Sequence, residues 1–286
     1  MPEGDTIFRT AASLRRVLQD AEITDVATTV PQVRAIGPRR LVGQRVAEVE
    51  SRGKHLLCWF APSDLALHTH MMMSGSWHLY RPGQRWRKPR RLARVVLSVE
   101  GWDAVCFSAP VVELLSRAQV DEHHRLGGLG PDALGDTVDV AEARRRLDAR
   151  EDASIGDALL DQRVLAGVGN VFRCEVLFLH GIAPTTRVGD LDPATRDAVL
   201  ATAVRLLRDN AGGGRARRVT TEPTGTGPRS GQPGRGPAGA RPAGAGPAHH
   251  VYGRAGRPCT RCGHLVRSGR QGEQARVVYW CPHCQA

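Results

Sequence analysis

The chain has 286 residues, of which 41% are hydrophobic, and a formal net charge of +11. This length accommodates two domains with hydrophobic cores and a small additional module. No signal-type segment opens the sequence, and no apolar stretch approaches the roughly 18 residues of a membrane helix. We therefore predict a cytoplasmic protein without a membrane partner.

The positive charge is concentrated at the C-terminal end. Residues 1–200 carry 26 Lys and Arg against 26 Asp and Glu, whereas residues 201–286 carry 14 against 3. This asymmetry favours a polyanionic partner, in particular nucleic acid. A solvated arginine-rich tail would give the same count, so charge alone leaves both interpretations open.

The first residues, Met1-Pro2-Glu3-Gly4, contain a candidate nucleophile. If the initiator methionine is removed, as is usual before a small second residue, Pro2 presents a secondary amine that can form an iminium with an aldehyde-like carbon. Glu3 is placed to move protons for it. Apolar residues at helical spacing from Asp5 to Asp20 predict a helix whose positive end lies at this amine. The alternative is a proline that only begins a helix.

The next hundred residues predict a β-sandwich, because short Val- and Leu-rich runs at 23–30, 43–59, 65–79 and 93–107 are separated by turn residues. Lys54 opens one apolar run and is one of only two lysines in the chain, the other being Lys88. A compact ammonium is favoured where arginine would not serve. Met71, Met72 and Met73 fit either strand core or an apolar wedge that enters a DNA stack.

From residue 131 the pattern becomes helical, with predicted helices at 140–147, 154–161, 171–179 and 193–208. The segment 161–170 between two of them contains Gly167 and Gly169, which allow close approach of the backbone to a ligand. We predict Asn170 as the cap of the following helix, whose free amide groups can bind phosphate. An ordinary helical hairpin would have the same composition.

Residues 212–248 are rich in Gly, Pro and Arg and predict a flexible linker whose arginines, Arg218 among them, contact phosphates without specificity. The strongest local motif follows it. Two cysteine pairs separated by 18 residues predict a tetrahedral zinc site, and arginines at 267, 270 and 276 lie between them. The expected cofactor is one structural Zn²⁺, and its ligands are Cys259, Cys262, Cys281 and Cys284.

Together these motifs resemble the formamidopyrimidine-DNA glycosylase/endonuclease VIII family of base-excision repair enzymes. The resemblance covers nearly the whole chain and is strongest to the endonuclease VIII branch, because Val111-Val112-Glu113 stand where the purine-directed branch has an Arg-Arg-Phe run. The motifs that carry it are Pro2-Glu3-Gly4, residues 51–57, Met73-Ser74-Gly75, Leu160-Asp161-Gln162, Gly167-Val168-Gly169-Asn170, Phe107-Ser108-Ala109-Pro110 and Val251-Tyr252-Gly253-Arg254.

The resemblance implies an α+β fold: an N-terminal antiparallel β-sandwich with an N-terminal helix (residues 1–127), a helix-two-turn-helix domain (128–211), the linker (212–248) and a C-terminal zinc-finger β-hairpin (249–286). It further implies a bifunctional glycosylase and lyase that acts on double-stranded DNA carrying oxidised bases, mainly pyrimidines, or abasic sites. We expect a monomer that associates with the nucleoid through DNA binding.

The resemblance also implies roles for individual residues. Pro2 would attack C1′ and Glu3 would transfer protons. Lys54 would hold a phosphate, Asn170 and Arg276 would grip the DNA backbone, and Met73 would be the wedge.

The resemblance also bears on Glu175 and on the pair Asp5-Thr6. Glu175 matches a carboxylate behind the pocket that would support the amino terminus. Asp5-Thr6 occupy the region where the family often carries a second carboxylate, so the proton relay is expected to differ in detail.

Two alternatives remain at this point. One is a damaged-DNA-binding protein of the same fold without catalysis, and the other is a zinc-containing RNA-binding protein.

Overall fold

The computed structural model describes residues 2–212, 218–221 and 248–286. Met1 and most of the predicted linker lie outside these ranges, so the expectations for removal of Met1 and for a flexible linker concern residues outside the description. Within it, no helix is both long and apolar enough to cross a bilayer.

The first helix, α1 (Gly4–Leu18), forms where the apolar spacing predicts it. Ile7, Ala11, Leu14 and Leu18 lie on one face and are all buried, as expected of residues three or four positions apart on a helix. That face packs against the β-sandwich, whose core cluster includes the same four residues. The helix thereby fixes its N-terminal residues beside the sandwich.

Two antiparallel four-stranded sheets form the sandwich, in strand orders β1-β6-β7-β5 and β2-β3-β4-β8. Three predicted runs are each divided into two strands by turns, two of which centre on Gly53 and Gly101, whose positive φ values of 58° and 73° suit glycine. The eight strands are β1 (Asp25–Thr28), β2 (Arg45–Arg52), β3 (His55–Ala61), β4 (Leu65–His70), β5 (Ser76–Tyr80), β6 (Ala93–Val99), β7 (Trp102–Phe107) and β8 (Val111–Ser116).

Strand β8 and two short helices, α2 (Pro31–Ile36) and α3 (Arg117–Asp121), were not predicted. Both helices are too short to show an apolar period in the sequence. No element was predicted between Phe107 and residue 131, although the alternation of buried and half-buried positions in β8 is typical of a strand.

The helical domain contains α4 (Val140–Asp148), α5 (Ile155–Ala158), α6 (Asn170–Leu179) and α7 (Pro193–Ala211), whereas α3 (Arg117–Asp121) packs on strands β4 and β8 of the sandwich. The predicted helix at 154–161 is shorter than expected, because the chain turns after Ala158 towards the loop before α6. The side chains of Asp139, Ser154 and Asp192 cap α4, α5 and α7. Thus α5, the turns and α6 form the helix-two-turn-helix unit.

The C-terminal module is a hairpin of β9 (Arg267–Gln271) and β10 (Arg276–Trp280). It shares a small core with α6, where Cys174 and Phe178 pack with Val251, Val266 and Val278. The predicted α+β architecture is therefore confirmed. Helix α6 lies at the junction of the modules and positions the residues described next.

Candidate functional site

The carboxylate of Glu3 lies at the N-terminus of α6. It is fully buried and accepts hydrogen bonds from the backbone N–H groups of Val171 (2.8 Å) and Phe172 (3.4 Å). These amides have no partner within the helix, and their partial positive charge stabilises an anion. Pro2 directly precedes this buried carboxylate and is itself half-buried. The helix therefore holds a carboxylate next to the candidate nucleophile.

Two glycines allow this close approach. A Cβ at Gly169 would lie 2.3 Å from Cδ of Glu3, and a Cβ at Gly4 would lie 2.8 Å from Cα of Gly167. Gly4 also donates its N–H to the carbonyl of Gly167 (2.9 Å). The start of the chain is thus attached directly to the loop before α6.

Arg218 completes a buried charge cluster at the same place. Its Nε donates to Asp5 (3.0 Å), a second nitrogen donates to Thr6 (3.2 Å), and Nη1 lies 3.9 Å from Glu3. The guanidinium also stacks over Phe172 at 4.9 Å. Although burial opposes its charge, the neighbouring Asp5 and Glu3 carboxylates raise the pKa of Arg218 above its usual value.

The position of Arg218 differs from the sequence-based expectation, which placed it among linker arginines that contact phosphates. The reason is the buried Asp5 carboxylate, which requires a cation in a low-dielectric environment. The available signal was the β-branched pair Val219-Thr220 directly after the Gly- and Arg-rich run.

Lys54 lies in the turn between β2 and β3, where Gly53 donates its N–H to Asp132 (2.7 Å). Burial lowers the pKa of Lys54 to about 8; the Glu3 carboxylate opposes this shift, and the charges of Arg276 and Arg218 add to it. These electrostatic interactions show that residues distant in sequence surround one site. A cation poised there is suited to an anionic group such as a phosphate.

Asn170 is the first residue of α6, and the N-cap is Gly169, so the predicted capping role of the Asn170 side chain is wrong. Its amide instead donates to the carbonyl of Val277 in β10 (2.7 Å). The fully buried Arg173 donates to the side-chain oxygen of Asn170 and to the same carbonyl (3.3 Å). Burial lowers the pKa of Arg173. These contacts join the C-terminal hairpin to the helix that carries Glu3.

The four C-terminal cysteines lie together, with their sulfur atoms within 4.8 Å of one another. The Sγ separations are 4.0 Å for Cys259 and Cys284 and 3.5 Å for Cys262 and Cys281. A tetrahedral ion with Zn–S bonds of about 2.3 Å would separate its sulfur ligands by about 3.8 Å. The two observed distances bracket this value, so the four thiols fit a zinc ion. The rings of His264 and His283, which lie beside these cysteines, stack on each other with their centroids 4.1 Å apart.

Comparison with known proteins identifies the family. Residues 1–110 match the formamidopyrimidine-DNA glycosylase N-terminal domain, and residues 129–219 match the H2TH domain of the same enzymes. The chain is 40% identical to a probable endonuclease 8 2 of Streptomyces coelicolor over 100% of this chain and 94% of the relative. It belongs to the formamidopyrimidine-DNA glycosylase/endonuclease VIII family. These are DNA-repair glycosylases and lyases.

Other relatives agree in name and extent. The DNA-(apurinic or apyrimidinic site) lyase Nei2 of Mycolicibacterium smegmatis is 38% identical over 100% of this chain and 99% of the relative. Among solved structures, MutM bound to DNA containing carbocyclic 8-oxo-G superposes with a TM-score of 0.77 at 21% identity, over 100% of both chains. That likeness supports the fold.

The loop expected to carry the family wedge follows β4. Met71 is 2% exposed, whereas Met72 and Met73 are 40% and 73% exposed. The strand-core interpretation therefore applies only to Met71. Met73 presents an apolar side chain to solvent at the loop tip, as a wedge would require.

Glu175 has a different position from the one that the family resemblance implied. Its carboxylate accepts hydrogen bonds from the backbone N–H groups of His250 (2.7 Å), Val251 (2.9 Å) and Tyr252 (2.8 Å) and from the Thr220 hydroxyl (2.5 Å). It therefore anchors the segment that leads into the C-terminal module, while Glu3 itself attaches the amino terminus.

Proposed function

We propose that the protein is a bifunctional DNA glycosylase and lyase of base-excision repair that uses Pro2 as its nucleophile. The observation that carries this proposal is the buried Glu3 carboxylate on the α6 N-terminus, which directly follows Pro2, lies 3.9 Å from Arg218 and acts electrostatically on Lys54, as Arg276 also does. This arrangement combines a nucleophile, a proton carrier and phosphate-binding cations in one site.

The proposed chemistry begins after removal of Met1. The Pro2 nitrogen forms a bond to C1′ of the damaged nucleoside while the bond between C1′ and the base breaks; the departing base takes a proton from solvent, and the N–H proton of Pro2 passes to the Glu3 carboxylate. Glu3 then gives this proton to the ring oxygen O4′ as the sugar opens to an iminium. The cationic iminium acidifies C2′, so loss of a C2′ proton expels the 3′ phosphate. A second elimination expels the 5′ phosphate, and hydrolysis returns the Pro2 amine.

DNA binding is assigned to the residues around this centre. Lys54 would hold the phosphate nearest the attacked sugar. The amide nitrogen of Asn170 donates one hydrogen to Val277, and its second hydrogen is available for a phosphate oxygen. Arg276, half-buried on β10, would grip the backbone from the C-terminal module. Met73 would fill the space left when the nucleotide is turned out.

The four-thiolate zinc ion has a structural role in this proposal. Bound zinc contributes folding free energy to a module too small to hold itself together. The chain's own contribution is to place β9 and β10, with Arg267, Arg270 and Arg276, against α6. These arginines fix the position of the duplex without reading its sequence.

We propose oxidised pyrimidines and abasic sites in double-stranded DNA as substrates, with the protein acting as a monomer. Support for this choice over purine lesions comes from the resemblance to the endonuclease VIII branch, whose name several relatives at 32–40% identity carry. A panel of duplexes, each with one lesion, tests it. Faster excision of an oxidised purine than of every oxidised pyrimidine would contradict the substrate assignment.

The nucleophile is tested by adding borohydride to the protein and abasic DNA. We expect an irreversible adduct whose peptide map locates the DNA on Pro2. Pro2→Leu, which retains Met1 because its second residue is large, is expected to form no adduct. Intact mass verifies the amino terminus of each preparation. An adduct of undiminished yield with retained Met1 would disprove Pro2 as the nucleophile.

The same assays separate the alternatives. A binding protein without catalysis would give no adduct and no strand cleavage, and an RNA-binding protein would bind undamaged single strands as tightly as lesion-bearing duplex. Glu3→Gln is expected to retain DNA binding and lose base excision. Full excision by this variant would assign proton transfer to another residue.

A further inference from the structure

A cluster of histidines with one glutamate lies on the outer face of the sheet β2-β3-β4-β8, away from the sandwich core. His68 of β4 and Glu113 of β8 are direct cross-strand partners, so their side chains project from the same face. His123 follows α3, which packs on this face, and reaches the same carboxylate. The proposed glycosylase chemistry uses none of these three residues.

The donor atoms of the three side chains converge. His68 Nδ1 lies 2.8 Å and His123 Nε2 lies 3.2 Å from Oε2 of Glu113, and all three ligand atoms fall within 4.8 Å of one another. The His68 side chain is fully buried, that of His123 is 10% exposed, and that of Glu113 is 36% exposed. The cluster is therefore anchored on its protein side and open to solvent at the carboxylate.

A neighbouring histidine fixes the orientation of the buried ring. Nδ1 of His55 lies 2.8 Å from Nε2 of His68. If His68 donates its Nε2 hydrogen to His55, its Nδ1 carries a lone pair that points towards Glu113 and His123. A metal-ligating histidine usually donates the hydrogen of its other ring nitrogen to a neighbouring acceptor, which fixes the orientation of the ring. Leu57, Val120 and Leu126 form an apolar cluster on the same face of the sheet.

We propose that His68, Glu113 and His123 form a second metal site, which takes a divalent transition-metal ion such as Zn²⁺ independently of the four cysteines. Two imidazoles and one carboxylate are a donor set that such ions prefer over Mg²⁺ or Ca²⁺. A tetrahedral ion about 2.0–2.2 Å from each donor would separate the donors by about 3.3–3.6 Å. The exposed Glu113 side chain reaches this geometry by retreating less than about 1 Å, and water occupies the open position.

The site is connected to the DNA-binding loops of the proposed function, although it does not depend on that function. The ring of His70 packs edge-on against His55 at 4.6 Å, and its Nδ1 accepts the backbone N–H of Met72 (3.2 Å). His55 itself directly follows Lys54. An ion that joins β4, β8 and the segment after α3 would therefore stabilise the strands that carry both loops.

Metal titration of the full-length, tag-free protein tests the proposal. The protein is first exposed to a weak chelator that leaves zinc on the four thiolates, and Co²⁺ is then added while visible absorption is followed. We expect one further equivalent to bind with the spectrum of nitrogen and oxygen ligands and without thiolate-to-cobalt charge transfer. If the wild-type protein binds no further equivalent of Co²⁺, the proposal is wrong, irrespective of the metal binding of the variants.

Substitutions locate the ion. Glu113→Gln and His123→Gln are expected to weaken the added Co²⁺ at least tenfold. The matched control is His124→Gln, which alters the adjacent exposed histidine outside the three ligands and should bind Co²⁺ as the wild type does. If the two ligand variants bind the further equivalent with wild-type affinity, the three residues form only a metal-free network of charged hydrogen bonds, and the proposal is wrong.

Discussion

Gly169→Ala tests the placement of Glu3 without changing any ionisable group. The backbone at Gly169 has a φ of −123°, which alanine adopts freely, so the effect acts through the added methyl group. That Cβ would lie 2.3 Å from Cδ and 2.4 Å from Cγ of Glu3, whereas nonbonded carbons approach to about 3.5–4.0 Å. The Glu3 side chain must therefore move by more than about 1 Å.

Two consequences follow from this displacement. A catalytic group misplaced by about 1 Å reduces the rate by about 100-fold. Loss of the 2.8 Å hydrogen bond from Val171 to the carboxylate lowers the free energy of unfolding by about 1.5–3 kcal/mol. Single-turnover excision from a duplex with one oxidised pyrimidine measures the first effect, and urea unfolding measures the second.

The matched control is Gly128→Ala, because a Cβ at Gly128 meets open space. This variant is expected to retain the wild-type rate and stability. Wild-type excision by Gly169→Ala, with the variant correctly folded, would refute the argument that the α6 N-terminus positions the proton carrier.

Three further predictions follow from the site. Because burial lowers the pKa of Lys54 to about 8, the ammonium that we propose to bind phosphate is lost as pH rises through this value; DNA affinity measured by anisotropy should fall up to tenfold per pH unit above it, and Lys54→Arg should remove this dependence. Cys262→Ser should release one zinc per chain and weaken DNA binding while circular dichroism shows the remaining domains folded; unchanged metal content would refute the assignment. Arg218→Gln should lower the free energy of unfolding by up to about 3–5 kcal/mol, because the buried Asp5 carboxylate would keep, among the described residues, only the 3.4 Å ion pair with Arg9, and Asp5→Asn in the same chain should recover part of the loss; additive losses would contradict the pairing.

The features that could be predicted from the sequence are those whose interacting residues lie close together along the chain. The cluster of four cysteines was predictable because Cys259 and Cys262 are three positions apart, as are Cys281 and Cys284, and this spacing suits one metal ion. Helix α1 was predictable from its apolar period. The positions of Arg218 and Glu175 were not, because each is determined by partners more than 40 residues away in the sequence.

Asn170 illustrates the same limit at shorter range. Its type and place before a helical pattern favoured a cap, and its family role was inferred from the surrounding motif. The structure shows that Gly169 takes the cap position because the Glu3 carboxylate needs that space and itself supplies the capping oxygen. A capping group from residue 3 is a tertiary interaction, which no window of sequence around residue 170 contains.

Helix α6 explains why three separate modules can form one site. Its N-terminal amides hold Glu3, its first turn binds β10 through Asn170 and Arg173, and its Glu175 anchors the segment before the C-terminal module. These side chains are buried, so a rotation of the helix would break all three attachments together. The proposed nucleophile, its proton carrier and the arginine-bearing hairpin are thus all attached to one rigid element, helix α6. Precise placement of a sugar carbon between them requires such a common support.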